Sequence, residues 1–338
     1  MRTNYSIPAV LATIVIGMMP AFAAAETLVI QTWSGVWETG ARAVGDSFAK
    51  KYNVEVKYEL QQNTRLGIAK LRAQAASPTI DIAFSTNDAL EQAASENLLV
   101  PVDLKAAPGL SALPQKFVHK NYVEVMNILF GFVYRKDMAA FELTKWEDLA
   151  DPRLKGKLGV PTAQFAGGRW LIMAALANGG SENNIEPGFA FLKRIKPNVL
   201  SFYSTDGESV KVIQSGEVAV AGFGILSDFA KLLGPGSPYR FVIPDGSPVL
   251  TSVVSVGMAN PRNAALSLKF LEHIAQPEAQ AAYCAVINCT PVNPKASPPD
   301  AIKDFRPAPE RIYAADFSTI NKKLPEWDEW YKKEIQAR

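Results

Sequence analysis

The spacing of apolar positions changes repeatedly along the chain, and each change marks an element. From Leu28 a short apolar run stops at a polar turn holding Trp33, Ser34, Gly35 and Trp37, and a helical spacing (Ala43, Val44, Phe48) follows at once. Residues 54–60 alternate outward and inward as a strand does. Leu66, Ile68, Ala69, Leu71 and Ala75 give residues 64–76 one apolar helical face, with Thr64 as its cap. Residues 80–84 read as a short buried strand ending in Ser85, Thr86, Asn87 and Asp88, and a helix runs on through Leu90 to Glu96. This rhythm predicts a largely parallel sheet with helices on its faces.

Residues 127–135 form a continuous apolar run, the mark of a strand buried on both sides. A second alternating unit follows: a strand near 158–160, a small-residue loop at 162–168, a helix at 170–177 and another at 188–195. Residues 200–203 read as a strand and 204–207 as a turn, with Asp206 a candidate N-cap to a helix over 208–215. Further strands fall at 218–223, 240–244 and 252–258, and helices at 263–275 and from Pro277 through Tyr283. Residues 291–309 are Pro-rich and irregular, and a charged helix carrying Trp327 and Trp330 ends the chain. Trp146, Trp327 and Trp330 are expected to be structural.

The opening turn lies at the carboxyl end of a strand, where α/β folds bind ligands. Trp33 and Trp37 are large for a turn tip, which suggests one wall of a ligand cleft; ordinary core aromatics are the competing reading. The chain has 338 residues, 48% hydrophobic and 20% charged, a globular balance long enough for two lobes. Formal charge is +2 and no Lys/Arg block stands out, so nothing points to a nucleic-acid partner.

Residues 1–25 read as a secretory signal. Arg2 supplies the positive start, Ile7 to Met19 the apolar centre, and Ala23, Ala24 and Ala25 the small residues before Glu26. The apolar stretch is shorter than the roughly 20 residues of a membrane anchor, so cleavage after Ala25 is expected, with Ala23 as second choice. An exported, soluble protein follows. Cys284 and Cys289 are the only cysteines, and in an oxidising compartment so close a pair is expected to form a disulfide; two free thiols are the alternative. With no nearby His they make at most half a zinc site. There is no Gly-x-Ser-x-Gly, His-Glu-x-x-His or phosphate-loop motif, and His119 and His273 are the only histidines. A binder without metal or cofactor is expected; a carboxylate-pair hydrolase remains the enzyme alternative.

The order of the pieces resembles the type II periplasmic solute-binding proteins of ABC importers, in particular their polyamine-binding-like branch. The marks are Thr32, Trp33, Ser34 and Gly35 at the first strand end, then Asp81 to Thr86 and Gly131 to Asp137. Residues 144–157, 215–221 and 268–278 complete a set that runs through nearly all of the mature chain. The resemblance implies two α/β lobes joined by crossing strands, with a ligand enclosed between them and hinge closure coupled to docking on a membrane permease. Residues 26–131 and 255–338 would form the first lobe and 132–254 the second, with crossings near 132–135 and 251–256, in a monomer.

Polyamine binders of that branch hold a polycation with carboxylates and aromatic walls. Trp33 matches the aromatic of the opening turn, but the carboxylates do not carry over. Ala166 and Arg169 stand where the second-lobe helix begins, Val253 near the second crossing, and no Asp or Glu lies between Pro161 and Asn178. The expected wall tryptophan falls near Phe223. Arg169 in place of an acid inverts the preference: Gly167 and Gly168 form a small-residue loop at a helix N-terminus, which favours an anion, and a guanidinium grips carboxylate or phosphate by two parallel bonds. The bland alternative leaves Arg169 solvated and the glycines merely shaping a turn. Ser34, Thr86 and Asn87 follow strand ends and are candidate donors, as turn residues often are. Tyr203 and Asp206 follow another strand end, Asp206 as ammonium partner or helix cap; Thr251 and Ser252 are polar candidates at the crossing. The ferric branch uses adjacent tyrosines, and here the pair is Phe202 and Tyr203, so iron is not expected. The expected ligand is a small carboxylate-bearing nitrogenous solute, such as an amino acid, a γ-amino acid or an opine-like sugar–amino acid conjugate, with a polyamine as the alternative.

Overall fold

The computed structural model describes residues 26–139, 141–305 and 307–337. The expected signal segment, residues 1–25, lies outside the described residues. The chain opens as β1 (Thr27–Trp33), α1 (Val36–Tyr52), β2 (Glu55–Gln61), α2 (Thr64–Ala73), β3 (Ile82–Thr86) and α3 (Asn87–Ser95), with β2 and β3 parallel to β1 on either side. Leu28 and Ile30 of β1 join Val44 and Phe48 of α1 in one core, while Val29 packs with Ile68, Leu71 and Leu90 of α2 and α3 in another. Alternate side chains of one strand thus feed two cores, as a sheet covered on both faces requires.

The long apolar run is β4 (Tyr122–Arg135), buried as far as Tyr134. It begins five residues before the apolar run does, because Glu124 interrupts the pattern; that carboxylate is buried against His119 Nε2 at 2.9 Å. Next come β5 (Leu158–Pro161), α4 (Arg169–Leu176), α5 (Glu186–Ile195), β6 (Val199–Tyr203), α6 (Asp206–Gln214), β7 (Val220–Ile225), α7 (Leu226–Phe229), β8 (Tyr239–Val242) and β9 (Val249–Met258). Strand order is β2-β1-β3-β9-β4-β7-β5-β6. β4 pairs antiparallel with β9 from Tyr122 to Leu129, then from Phe130 onward takes β7 and β8 as partners. One continuous strand therefore links two α/β lobes.

The chain then returns through α8 (Ala264–Ile274), α9 (Pro277–Ile287) and β10 (Thr290–Pro291), with Cys284 and Cys289 joined in a disulfide. It ends with β11 (Ile312–Tyr313), paired with the start of β9, and α10 (Phe317–Tyr331). The sequence reading puts all of 255–338 in the first lobe, but the packing divides it. Phe270, Ile274 and Tyr283 share the first-lobe core with Phe48 and Phe84. Ile320, Leu324, Trp327 and Tyr331 join Trp146, Trp170 and Phe223 in the second-lobe core. Their spacing makes one apolar stripe on α10, and the second lobe buries it.

Two helix starts lie one residue from where the sequence puts the cap. Asn63 caps α2, its Oδ1 accepting from Leu66 N–H at 3.0 Å, and Thr205 caps α6, its Oγ1 accepting from Glu208 N–H at 3.2 Å in a capping box. Thr64 and Asp206 are instead the first residues inside their helices. In each case the preceding residue has extended backbone and an oxygen in reach, so it takes the role. For Asp206 the consequence is a free carboxylate. Among the described residues no helix is long and apolar enough to cross a membrane.

Candidate functional site

The ends of β1, β3 and β7, the turns after β2, β5 and β6, and the starts of α1, α2, α3, α4 and α6 line one cleft of about 1120 Å³ between the lobes. This convergence follows from parallel strands: all their carboxyl ends point the same way in each lobe. α1, α3 and α4 begin without a side-chain cap. Their first-turn N–H groups and positive helix ends are therefore available to an anion in the cleft. The charged side chains on the walls are Arg65, Arg72, Arg169, Asp88 and Asp206, and Arg72 is already held by Glu96 at 2.8 and 2.9 Å.

Trp33 and Trp37 are half-buried on the wall, ring centroids 5.5 Å apart and tilted by 56°. Across the cleft, Ala166, Gly167 and Gly168 all have positive φ (49°, 65° and 80°). The positive φ of Gly168 favours glycine, and a Cβ there would lie 2.8 Å from Leu324 Cδ1 of α10, which would have to move aside. This left-handed run turns the chain so that Arg169 folds back over it, Nη1 donating to the Ala166 carbonyl at 2.8 Å. Nη2 donates to Asp88 Oδ1 at 3.3 Å, reaching from the second lobe to α3 of the first. Phe317 of α10 lies under the guanidinium, 4.2 Å from ring centroid to Cζ. Arg169 is 4% exposed, and its Nε is buried with no partner among the described residues. Burial pulls its pKa down, and Asp88 opposes that shift.

Asp206 faces cleft water, yet the surrounding walls displace enough solvent to raise its pKa. Asp228, in α7, is pushed up to about 7 by burial and by the charge of Asp206, and its Oδ2 is buried without a partner among the described residues. Among the described residues neither acid has a counter-cation.

Of the residues singled out by sequence, Trp33, Ser34, Trp37, Thr86, Gly167, Arg169 and Asp206 line the cleft. Asn87 opens α3 between Thr86 and Asp88, its Oδ1 buried and unpartnered. Tyr203 and Phe223 lie beneath the floor, in the second-lobe core. The Tyr203 hydroxyl donates to Phe223 O and accepts from Phe223 N–H at 3.1 Å, and the Phe223 ring stacks on Phe130 at 4.9 Å. Thr251 is buried in β9, and Ser252 stands in register with Ile128 of β4. Residues not singled out also line the cleft: Arg65, Arg72 and Asp88, and Asn321 and Pro325 of α10. Arg65 and Arg72 stand two turns apart on one helix, a spacing that sequence does reveal; nothing local marks Asn321. Among the described residues no group of three His, Cys, Asp or Glu is placed to hold a metal.

Residues 43–308 match the profile of the bacterial extracellular solute-binding proteins. The chain belongs to that family. This solute-binding protein is 24% identical over 188 residues to a periplasmic protein of Salmonella paratyphi A whose name proposes 2-aminoethylphosphonate binding, covering 55% of this chain and 53% of the relative. It is 25% identical over 212 residues to a spermidine/putrescine-binding periplasmic protein of Haemophilus influenzae, covering 59% and 56%. The chain spans little more than half the length of these curated relatives in either match. An ABC transporter structure from Clostridium perfringens superposes with a TM-score of 0.78 at 22% identity, covering 91% of this chain and 99% of that one. The solute-binding protein thus has the two-lobe type II fold, and its family binds solutes rather than converting them.

Proposed function

We propose that this protein is the periplasmic receptor of an ABC importer and captures a small zwitterion, a solute with an acidic group at one end and an ammonium at the other. The observation that carries this reading is Arg169, whose unfilled Nε sits at the uncapped start of α4 in the cleft. The guanidinium and helix ends suit a carboxylate or phosphonate. Asp206, with no counter-cation among the described residues, suits the ammonium, and Trp33 and Trp37 suit the carbon chain between. Amino acids, γ-amino acids, opine-like conjugates and aminoalkylphosphonates all fit, and the Salmonella relative's proposed ligand is of this kind. Between lobes 26–129 with 255–292 and 130–254 with 302–337, closure would present the loaded cleft to a permease, the protein acting as a monomer after cleavage near Ala25.

A polyamine is the second reading, supported by the unpaired Asp206 and Asp228. Thermal denaturation against 2-aminoethylphosphonate, γ-aminobutyrate and spermidine separates the two. A ligand at a hundred times its Kd stabilises by about 2.7 kcal/mol, which moves Tm by roughly 4 °C in a chain of this size. Stabilisation by spermidine or putrescine with none by any acid would overturn the zwitterion reading.

A further inference from the structure

Arg169 is nearly filled but not quite. Nη1 and Nη2 each have an acceptor and Phe317 covers one face, yet Nε is buried with none. The edge between Nε and Nη2 is one that receives a carboxylate or phosphate through two parallel bonds. Asp88 reaches that guanidinium with one oxygen, at the long distance of 3.3 Å, and leaves Nε empty. It is anchored in the first turn of α3, on the opposite lobe, and its side chain stays 21% exposed to the cleft. A carboxylate that took the place of Asp88 with both oxygens along that edge would meet both nitrogens.

We propose that Asp88 is an internal counter-ion: it half-fills the anion subsite while the cleft has no ligand and is displaced by the ligand's anionic group. This makes Asp88 a residue that sets how tightly the subsite takes any anion, because every ligand must displace it first. The inference rests on the anion-gripping role of Arg169 proposed above. A ligand carboxylate replaces Asp88 with a group of equal charge and gains only the Nε bond. A phosphonate brings a second charge, and its third oxygen can take an N–H at the uncapped start of α3 or α4. Because Asp88 and Arg169 belong to different lobes, the same exchange breaks a direct tie between lobes and remakes it through the ligand.

Calorimetric titration at pH 8, where a phosphonate like a phosphate carries close to two charges, tests this with 2-aminoethylphosphonate and its carboxylate counterpart β-alanine. Wild type is expected to prefer the phosphonate by about tenfold or more. Asp88→Asn, equal in size and uncharged, is expected to bind both probes about fivefold tighter, whereas Asp88→Glu binds them like wild type. Weaker or unchanged binding of both probes by Asp88→Asn overturns the proposal, because Asp88 would then orient Arg169 instead of competing for it. Arg169→Ala separates the two levels. If it binds both probes like wild type, or wild type binds neither, the anion grip fails and this inference with it. If it loses both while Asp88→Asn binds them no tighter than wild type, only the counter-ion role fails.

Discussion

Arg169→Ala is expected to separate ligand capture from folding. On the ligand side, a hydrogen bond to a charged group contributes about 1.5–3 kcal/mol, so loss of one such bond weakens binding roughly 10- to 150-fold. On the folding side the change is smaller. The pair with Asp88 is single and long, and the remaining Asp88 is open to cleft water, so it does not become a buried unpaired charge. Arg169 itself is desolvated, which lowers its pKa and makes its burial costly. Loss of the stack on Phe317 works the other way, by about 1–2 kcal/mol, and the two effects offset. Titration calorimetry with 2-aminoethylphosphonate and γ-aminobutyrate, run beside urea denaturation of the ligand-free protein, reads both sides. Arg169→Lys keeps the charge but not the planar fork and should fall between wild type and alanine. Affinity within twofold of wild type in the alanine variant, with unchanged stability, would refute the reasoning and move the anion contact to Arg65.

Three further outcomes are expected. Tyr203→Phe removes two buried hydrogen bonds to the Phe223 backbone, so urea denaturation should show a loss of about 1–3 kcal/mol while ligand affinity stays near wild type. The Cys284–Cys289 disulfide closes a loop of sequence separation 5, which the chain-entropy relation values at about 2 kcal/mol; Cys284→Ala/Cys289→Ala should lower unfolding stability by that amount. Asp228 has a folded pKa raised to about 7 by burial and by Asp206, above the ordinary value near 4. The folded state therefore holds this proton more tightly, and the stabilisation present below about pH 4 is lost as pH rises through about 7. Asp228→Asn should flatten that part of the stability–pH curve.

The pattern of apolar positions locates the cleft because parallel strands fix where their carboxyl ends lie. Trp33, Thr86 and Asp206 could be placed on its walls from local spacing alone. The same rule misplaces residues within a strand by one position. Phe202 is 36% exposed and Tyr203 2%, since neighbours in a strand face opposite sides. A residue's rank after a strand is therefore weaker evidence for cleft contact than the side it faces. Cap positions suffer similarly: Asn63 and Thr205 compete with Thr64 and Asp206, and only backbone conformation decides.

What sequence could not reveal is long-range. The residues that give Arg169 its environment are Asp88, 81 positions earlier, and Phe317, from a terminal helix whose charged surface suggests no site. Local spacing identifies the guanidinium but not its burial, nor the carboxylate that opposes it. That difference matters for ligand class. A lobe that contributes an arginine to a shared cleft offers a preference for anions, but the opposite lobe can already have answered it. Here the answer is incomplete, one oxygen on one nitrogen with Nε left over. A fully paired Arg169 would be a structural tie between lobes, and a solvated one would carry little selectivity. On the reading proposed above, partial pairing across the cleft leaves a site that a stronger anion can take.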